Sequence, residues 1–120
     1  MKENLLIDLS KQFAVDIVNL CTDIKEKRNG NVLLNQILRS GTSIGANIHE
    51  ANYAASRADF SNNFQIALKE CYETEYWLGL FKDTYIITEE EYKDMFAKCS
   101  KLRKLLIASI TTVKNKMNSD

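Results

Sequence analysis

The chain of 120 residues has a single histidine, in the segment His49-Glu50-Ala51-Asn52-Tyr53. A zinc site of the His-Glu-x-x-His type requires a second histidine at position 53, where this chain has Tyr53. A di-iron bundle requires Glu-x-x-His on two helices and a glutamate on two others, which one histidine cannot supply. We therefore expect no metal and no other cofactor.

The three cysteines, Cys21, Cys71 and Cys99, include no Cys-x-x-Cys pair, and no histidine lies near any of them in sequence. A nucleophilic cysteine requires a base and a polarising environment. Each cysteine instead lies on or beside an apolar helical stripe. We interpret them as small, reduced core residues.

Two further patterns could carry chemistry. The carboxylates of Glu70 and Glu73 are three residues apart, but both lie off the predicted core seam, so we interpret them as solvated. Gly41 and Gly45 lie within a predicted helix and not in a strand-to-helix loop, which argues against a phosphate-binding loop. The sequence therefore predicts no catalytic residue, no enzyme and no small-molecule substrate.

The charges balance overall, but they are unevenly distributed. Lys plus Arg and Asp plus Glu both total 16, which argues against a strongly basic nucleic-acid binder. From Tyr92 to Ser119, however, seven cations accompany the single anion Asp94. They form either a solvated helix face or a nucleic-acid surface. The candidate patch comprises Lys98, Lys101, Arg103, Lys104, Lys114 and Lys116, with Lys93 as the seventh cation.

Apolar residues recur at steps of three and four along four stretches, at about 6–27, 32–55, 57–81 and 89–117. The chain contains no proline, which favours long helices over a β-rich domain. Ser56 with Asp59, and Thr88 with Glu91, resemble N-terminal helix caps. We therefore predict one all-α domain over residues 1–120: an up-down-up-down antiparallel four-helix bundle with left-handed packing. The sequence has no apolar run of about 18 residues, so it predicts no membrane span, and we expect a cytoplasmic protein.

Two of the predicted helices have unusual faces. The second has a core face of small residues, including Gly41, Gly45, Ala51 and Ala55, which indicates close approach of a neighbouring helix.

The third predicted helix carries more apolar surface than a bundle corner can bury, and aromatic residues are enriched at protein–protein interfaces. The interface candidates are Ile66, Tyr72, Tyr76, Trp77 and Leu80. They predict self-association, and partial exposure at the bundle end is the alternative.

A polar line on the second helix also has two interpretations. It lies opposite the apolar seam, as an ordinary solvated face would. Alternatively, it forms a polar network at a subunit contact, in which Asn47 and Glu50 bond to a neighbouring helix end or chain. The line comprises Gln36, Arg39, Ser43, Asn47 and Glu50.

The run QILRSGTSIGANIHEA at 36–51, continued by SRADF at 56–60 and IALKE at 66–70, resembles the four-helix-bundle proteins encoded in bacterial 23S rRNA intervening sequences. Its Ser-Ile-x-x-Asn-Ile-x-Glu core is the specific part. The matching positions are Ser43, Ile44, Asn47, Ile48 and Glu50. Ala51 replaces the glycine that many members have, and Arg28-Asn29-Gly30-Asn31 replaces a proline-containing connection.

This resemblance implies a four-helix bundle that assembles into a homopentameric ring, and it implies no established activity. A more distantly similar group, the accessory proteins of retroelement reverse transcriptases, forms pentamers that bind nucleic acid and the polymerase. We therefore expect a non-catalytic oligomeric scaffold whose partner is a protein or structured RNA. The alternative is an RNA-binding accessory protein, or one that joins a nucleic-acid-handling protein, through the basic fourth helix.

Overall fold

The computed structural model describes residues 2–28 and 32–119. Four helices account for almost all of them: α1 (Lys2–Lys27), α2 (Leu34–Ala51), α3 (Arg57–Asp83) and α4 (Glu89–Ser119). Helices that follow one another in sequence pack side by side, and α1 also packs against α4. The short connections make neighbouring helices antiparallel. The molecule measures 53 × 22 × 22 Å, and the prediction of an all-α four-helix bundle is confirmed.

The core is built from the apolar seams that the sequence predicts. Phe13, Phe64 and Phe81 are its largest buried side chains, and they come from α1 and α3. All three cysteines are buried there and unpaired. The core side chains from the other two helices include Ile37, Ile44 and Ile48 of α2 and Met95, Leu102 and Leu106 of α4.

The helix α2 is shorter than its predicted range of about 32–55, mainly at its C-terminal end. The helix begins at Leu34 and ends at Ala51, so Ala55 is exposed and does not belong to the core. Ser56, in an extended conformation, accepts a hydrogen bond from the backbone N–H of Asp59 at 3.1 Å and caps α3. Because a capping residue must leave the helical conformation, α2 has to end before Ser56. The spacing of Ala51 and Ala55 fits the helical pattern, so it gave no sign that the helix ends between them.

Gly41 and Gly45 bring α2 close to α1, as the sequence predicts. A Cβ atom added at Gly41 would lie 2.8 Å from Cγ1 of Ile17. One added at Gly45 would lie 3.2 Å from the backbone oxygen of Ser10. The close packing of α2 against α1 offsets the roughly 1 kcal/mol by which each glycine disfavours a helix relative to alanine.

The connection between α3 and α4 is held by a charged clamp at the end of α1. The Arg28 guanidinium donates to both carboxylate oxygens of Glu91, at 2.8 and 2.7 Å, and to the backbone oxygen of Ile86 at 3.0 Å. Asp23 pairs with the same guanidinium at 2.7 Å. Glu91 also accepts from the backbone N–H of Thr88, whose hydroxyl caps Glu91 in return, so the predicted capping box is present.

The C-terminus of α3 ends in a Schellman motif with a tyrosine at the left-handed position. Ile86 donates its backbone N–H to Phe81 O at 2.9 Å, and Tyr85 donates to Lys82 O at 3.0 Å. Tyr85 has a φ of 62° and a side chain that is 93% exposed. A non-glycine residue pays a steric cost in this conformation that glycine avoids.

Replacing Tyr85 with glycine should therefore raise the free energy of unfolding by about 1 kcal/mol, since the change relieves the backbone and removes almost no packing. Urea denaturation followed by circular dichroism measures the difference. Tyr53→Gly, at an exposed position whose φ is not positive, is the control and should not stabilise the chain. Equal or lower stability of Tyr85→Gly would contradict this account of the motif.

Candidate interaction surface

The five interface candidates on α3, which we call the α3 surface, are Ile66, Tyr72, Tyr76, Trp77 and Leu80. Tyr76 is 64% exposed, Tyr72 51% and Ile66 39%, while Trp77 and Leu80 are half-buried. The rings of Tyr76 and Trp77 meet edge to face with centroids 5.1 Å apart. The structure thus leaves apolar and aromatic area of α3 uncovered within a single chain.

Neighbouring helices hold both edges of this surface. On the α2 side, the indole N–H of Trp77 donates to Glu73 at 3.0 Å, and Glu73 is paired with Arg39 of α2. On the α4 side, the guanidinium of Arg103 lies 5.4 Å from the centre of the Tyr72 ring. Because Trp77 already has its hydrogen-bond acceptor, a partner can cover its ring without leaving a buried donor unpaired.

The interpretation of Glu70 and Glu73 as solvated carboxylates is wrong. Arg39 pairs with both of them, at 3.0 Å for Glu70, and their side chains are only 16% and 33% exposed. Below this ion pair, the hydroxyls of Ser40 and Thr74 are hydrogen-bonded at 2.9 Å inside the α2–α3 contact. The sequence analysis missed this network, because the pairing of Arg39 with carboxylates of α3 depends on how the two helices pack.

The residues that carry the family resemblance divide into three groups. Ile44 and Ile48 are buried in the core. Ser43 donates its hydroxyl to Arg39 O at 2.6 Å, and Asn47 donates its amide to Ser43 O at 2.9 Å, so both bond within α2. Glu50 is exposed, and its contact with another chain stays a prediction.

Two of the six cations of the candidate nucleic-acid patch form ion pairs on different flanks of α4. Lys98 pairs with Asp16 of α1 and with Asp94, both at 3.0 Å. Arg103 pairs with Glu75 of α3 at 3.0 Å, on the opposite flank of α4. These ion pairs balance two of the charges, while Lys101, Lys104, Lys114 and Lys116 are exposed. RNA binding through this helix stays a prediction.

The three cysteines are buried and unpaired, as expected of core residues. Burial raises the pKa of the Cys21 thiol to about 11. The pKa of Cys99 is raised by its hydrogen bond with Cys71 and by burial, and its thiol donates to Cys71 O at 3.4 Å. Protonated thiols are poor nucleophiles and metal ligands. Among the described residues, no group of three His, Cys, Asp or Glu side chains is placed to hold a metal ion, and no helix is long and apolar enough to span a membrane.

These features define a helical bundle with a packed core, cross-helix ion pairs and an uncovered apolar surface on α3. The chain belongs to the 23S rRNA-intervening sequence protein family, whose model matches residues 2–108. A search of curated proteins gave no match. Among solved structures, the chain is similar to a protein with unknown function from the S23 ribosomal protein family of Bacteroides thetaiotaomicron VPI-5482. The two are 51% identical with a TM-score of 0.91, over 92% of this chain and 99% of that one.

Proposed function

We propose that this protein is a non-catalytic, cytoplasmic scaffold that assembles into a homo-oligomer through the α3 surface. The proposed assembly is a homopentameric ring, as the family resemblance implies, and its partner is a protein or structured RNA. Neither the family description nor that of the solved relative names a reaction. The observation that carries the proposal is the exposure of Ile66, Tyr72 and Tyr76 beside Trp77.

Leaving this surface in water has a free-energy cost. Burial of apolar area contributes about 25 cal/mol per Å², and tyrosine and tryptophan supply large contact areas with few rotatable bonds. The polar atoms of the surface are also suited to burial, because the Trp77 N–H is bonded to Glu73 within the chain. The hydroxyls of Tyr72 and Tyr76 can remain at a wet rim.

Combining Trp77→Ala with Leu80→Ser should lower the oligomeric mass while the helical content is retained, because it removes contact area from the centre of the α3 surface. Multi-angle light scattering measures the mass, and circular dichroism checks folding. Tyr53→Ala removes an aromatic ring that is 78% exposed but lies outside α3, and it should leave the mass unchanged.

Tyr76→Glu is a second test that leaves the core untouched, since Tyr76 is 64% exposed. It places a charge in the proposed contact and should also lower the mass. Unchanged mass in both variants would mean that the α3 surface is not the contact.

A further inference from the structure

A shallow hollow of about 540 Å³ lies on the outer side of α4, opposite the residues of this helix that enter the core. Its central line follows helical steps of four, three and four residues through Lys93, Ala97, Ser100 and Lys104. From the first lysine to the last, the helix rises by about 16 Å, which is about three turns. We call this region the α4 hollow.

The middle of the α4 hollow is low, and its sides are apolar. Ala97 and Ser100 have small side chains, so another helix can approach the α4 backbone between the two lysines. Phe96 lies on one side of the central line and Leu105 on the other, and both are half-buried. Apolar residues along one face of a helix would cover the part of these two side chains that water still contacts.

The unpaired charge of the α4 hollow is positive. Lys93, Lys101 and Lys104 are exposed, and the described part of the chain shows no ion pair for any of them. The exposed Glu89 and Glu90 precede Lys93 by four and three residues and offset its charge in part. The charge that lacks an opposite partner therefore lies at Lys101 and Lys104, in the C-terminal half of the hollow.

The aromatic rings beside the α4 hollow are poorly placed for stacking on RNA bases. The ammonium of Lys82 lies 4.5 Å from the centre of the Tyr92 ring, and the rings of Tyr92 and Phe96 are in contact, with centroids 5.4 Å apart. Recognition of single-stranded RNA uses open ring faces. The carboxylates of Glu89 and Glu90 would also repel phosphate groups. These features favour a protein ligand over RNA.

We propose that the α4 hollow binds an acidic amphipathic helix of a partner protein, an inference that rests on the proposed scaffold function and specifies the chemistry of its partner. Apolar side chains of this helix pack over Ala97, between Phe96 and Leu105. Its carboxylates pair with Lys101 and Lys104 at the rim of the contact, where opposite charges set partner choice and the rate of association.

The charges along the α4 hollow also give the partner helix a direction. One end of the hollow is bordered by Glu89 and Glu90, and the other by Lys101 and Lys104. A partner helix with carboxylates at one end and a cation at the other matches this pattern in one orientation and opposes it in the reverse orientation.

The first test measures binding of a designed peptide by fluorescence anisotropy. The peptide carries fluorescein, forms a helix of about five turns, and has leucines on one face with glutamates along both edges. It should bind the wild type, and Lys101→Glu with Lys104→Glu should weaken binding by at least about tenfold in dissociation constant. Lys11→Glu with Lys25→Glu makes the same change of net charge at exposed positions of α1 and should bind as the wild type does.

Exchanging the charges makes the test specific. A peptide with lysines in place of the glutamates should bind the Lys101→Glu, Lys104→Glu variant more tightly than it binds the wild type. A peptide with serines in place of the leucines should bind neither protein, because the apolar contact is lost. Failure of the acidic peptide to bind the wild type, or equal binding to the two double variants, would overturn the inference.

Ala97→Trp separates a helix from RNA as the ligand. Ala97 is exposed, so the variant should fold, and the indole fills the α4 hollow while every lysine stays in place. Peptide binding should weaken by at least about tenfold. An RNA hairpin that binds the wild type, is lost in the Lys101→Glu, Lys104→Glu variant and still binds Ala97→Trp, with no binding of the acidic peptide, would make the surface a nucleic-acid site and overturn the inference.

Peptide binding and oligomeric mass fail independently of each other. A wild type that assembles but does not bind the acidic peptide overturns this inference alone. A monomeric wild type that binds the peptide contradicts only the proposed self-association. The variant with Trp77→Ala and Leu80→Ser should keep peptide binding, because the α4 hollow shares no residue with the α3 surface.

Discussion

Replacing Ile48 with alanine is expected to lower the free energy of unfolding by about 2–5 kcal/mol. Ile48 is 2% exposed on the core side of α2, so the substitution removes buried apolar volume and leaves a cavity that the packed bundle fills only in part. Urea denaturation followed by circular dichroism, at a fixed protein concentration, measures the loss.

Val32→Ala is the matched control, because Val32 is 92% exposed and its truncation should change stability by less than about 0.5 kcal/mol. If Ile48→Ala had an equally small effect, the side chain would be exposed, and the rotation of α2 about its axis would have to be different.

The second large effect is a loss of stability in acid that depends on Glu91. The Arg28 guanidinium, bonded to both carboxylate oxygens, lowers the pKa of Glu91 from 4.5 to about 2. Because the unfolded chain binds this proton at the higher pH, the stabilising contribution is fully present above pH 4.5. It is lost as the pH falls from about 4.5 to about 2.

The expected contribution is about 1–3 kcal/mol, since the two side chains are each 29% exposed and solvent screens part of their attraction. The measurement is urea denaturation at a series of pH values for the wild type and Glu91→Gln. The difference between the two should shrink below pH 4.5. Arg28→Met should remove the same pH dependence. A constant difference between wild type and Glu91→Gln from pH 7 to pH 2 would contradict the clamp.

The helical pattern was sufficient to predict the four helices and their buried seams. Residues such as Phe13, Phe64 and Leu106 are placed by the spacing of apolar residues, which depends only on the 3.6-residue period of the helix. The helix caps at Ser56 and Thr88 were equally visible, because a cap is a local contact between residues three apart.

The partners of the charged residues could not be predicted in the same way. Arg39 pairs with carboxylates on α3, Lys98 with one on α1, and Arg28 with one on α4. Which carboxylate each cation meets depends on the rotation and offset of neighbouring helices, which a single helix's periodicity does not contain. For this reason the ion pairs of Lys98 and Arg103, two members of the candidate patch on α4, could not be predicted from the sequence.

The open space beside Gly79 could not be predicted from the sequence. In the sequence, Gly79 resembles any glycine in a helical pattern, and Gly41 and Gly45 appeared to be the informative pair. Only the packing shows that α1 fills the space beside those two, whereas the space beside Gly79 is open.

Self-association is the central claim, and the mass of the unmodified protein in solution tests it most directly. Native mass spectrometry across a range of concentrations should give one assembly, a whole-number multiple of the 13.8 kDa chain, with five copies as the expected number. A single species of 13.8 kDa at every concentration would contradict the claim. In that case, the exposed rings of Tyr72 and Tyr76 would need a different partner.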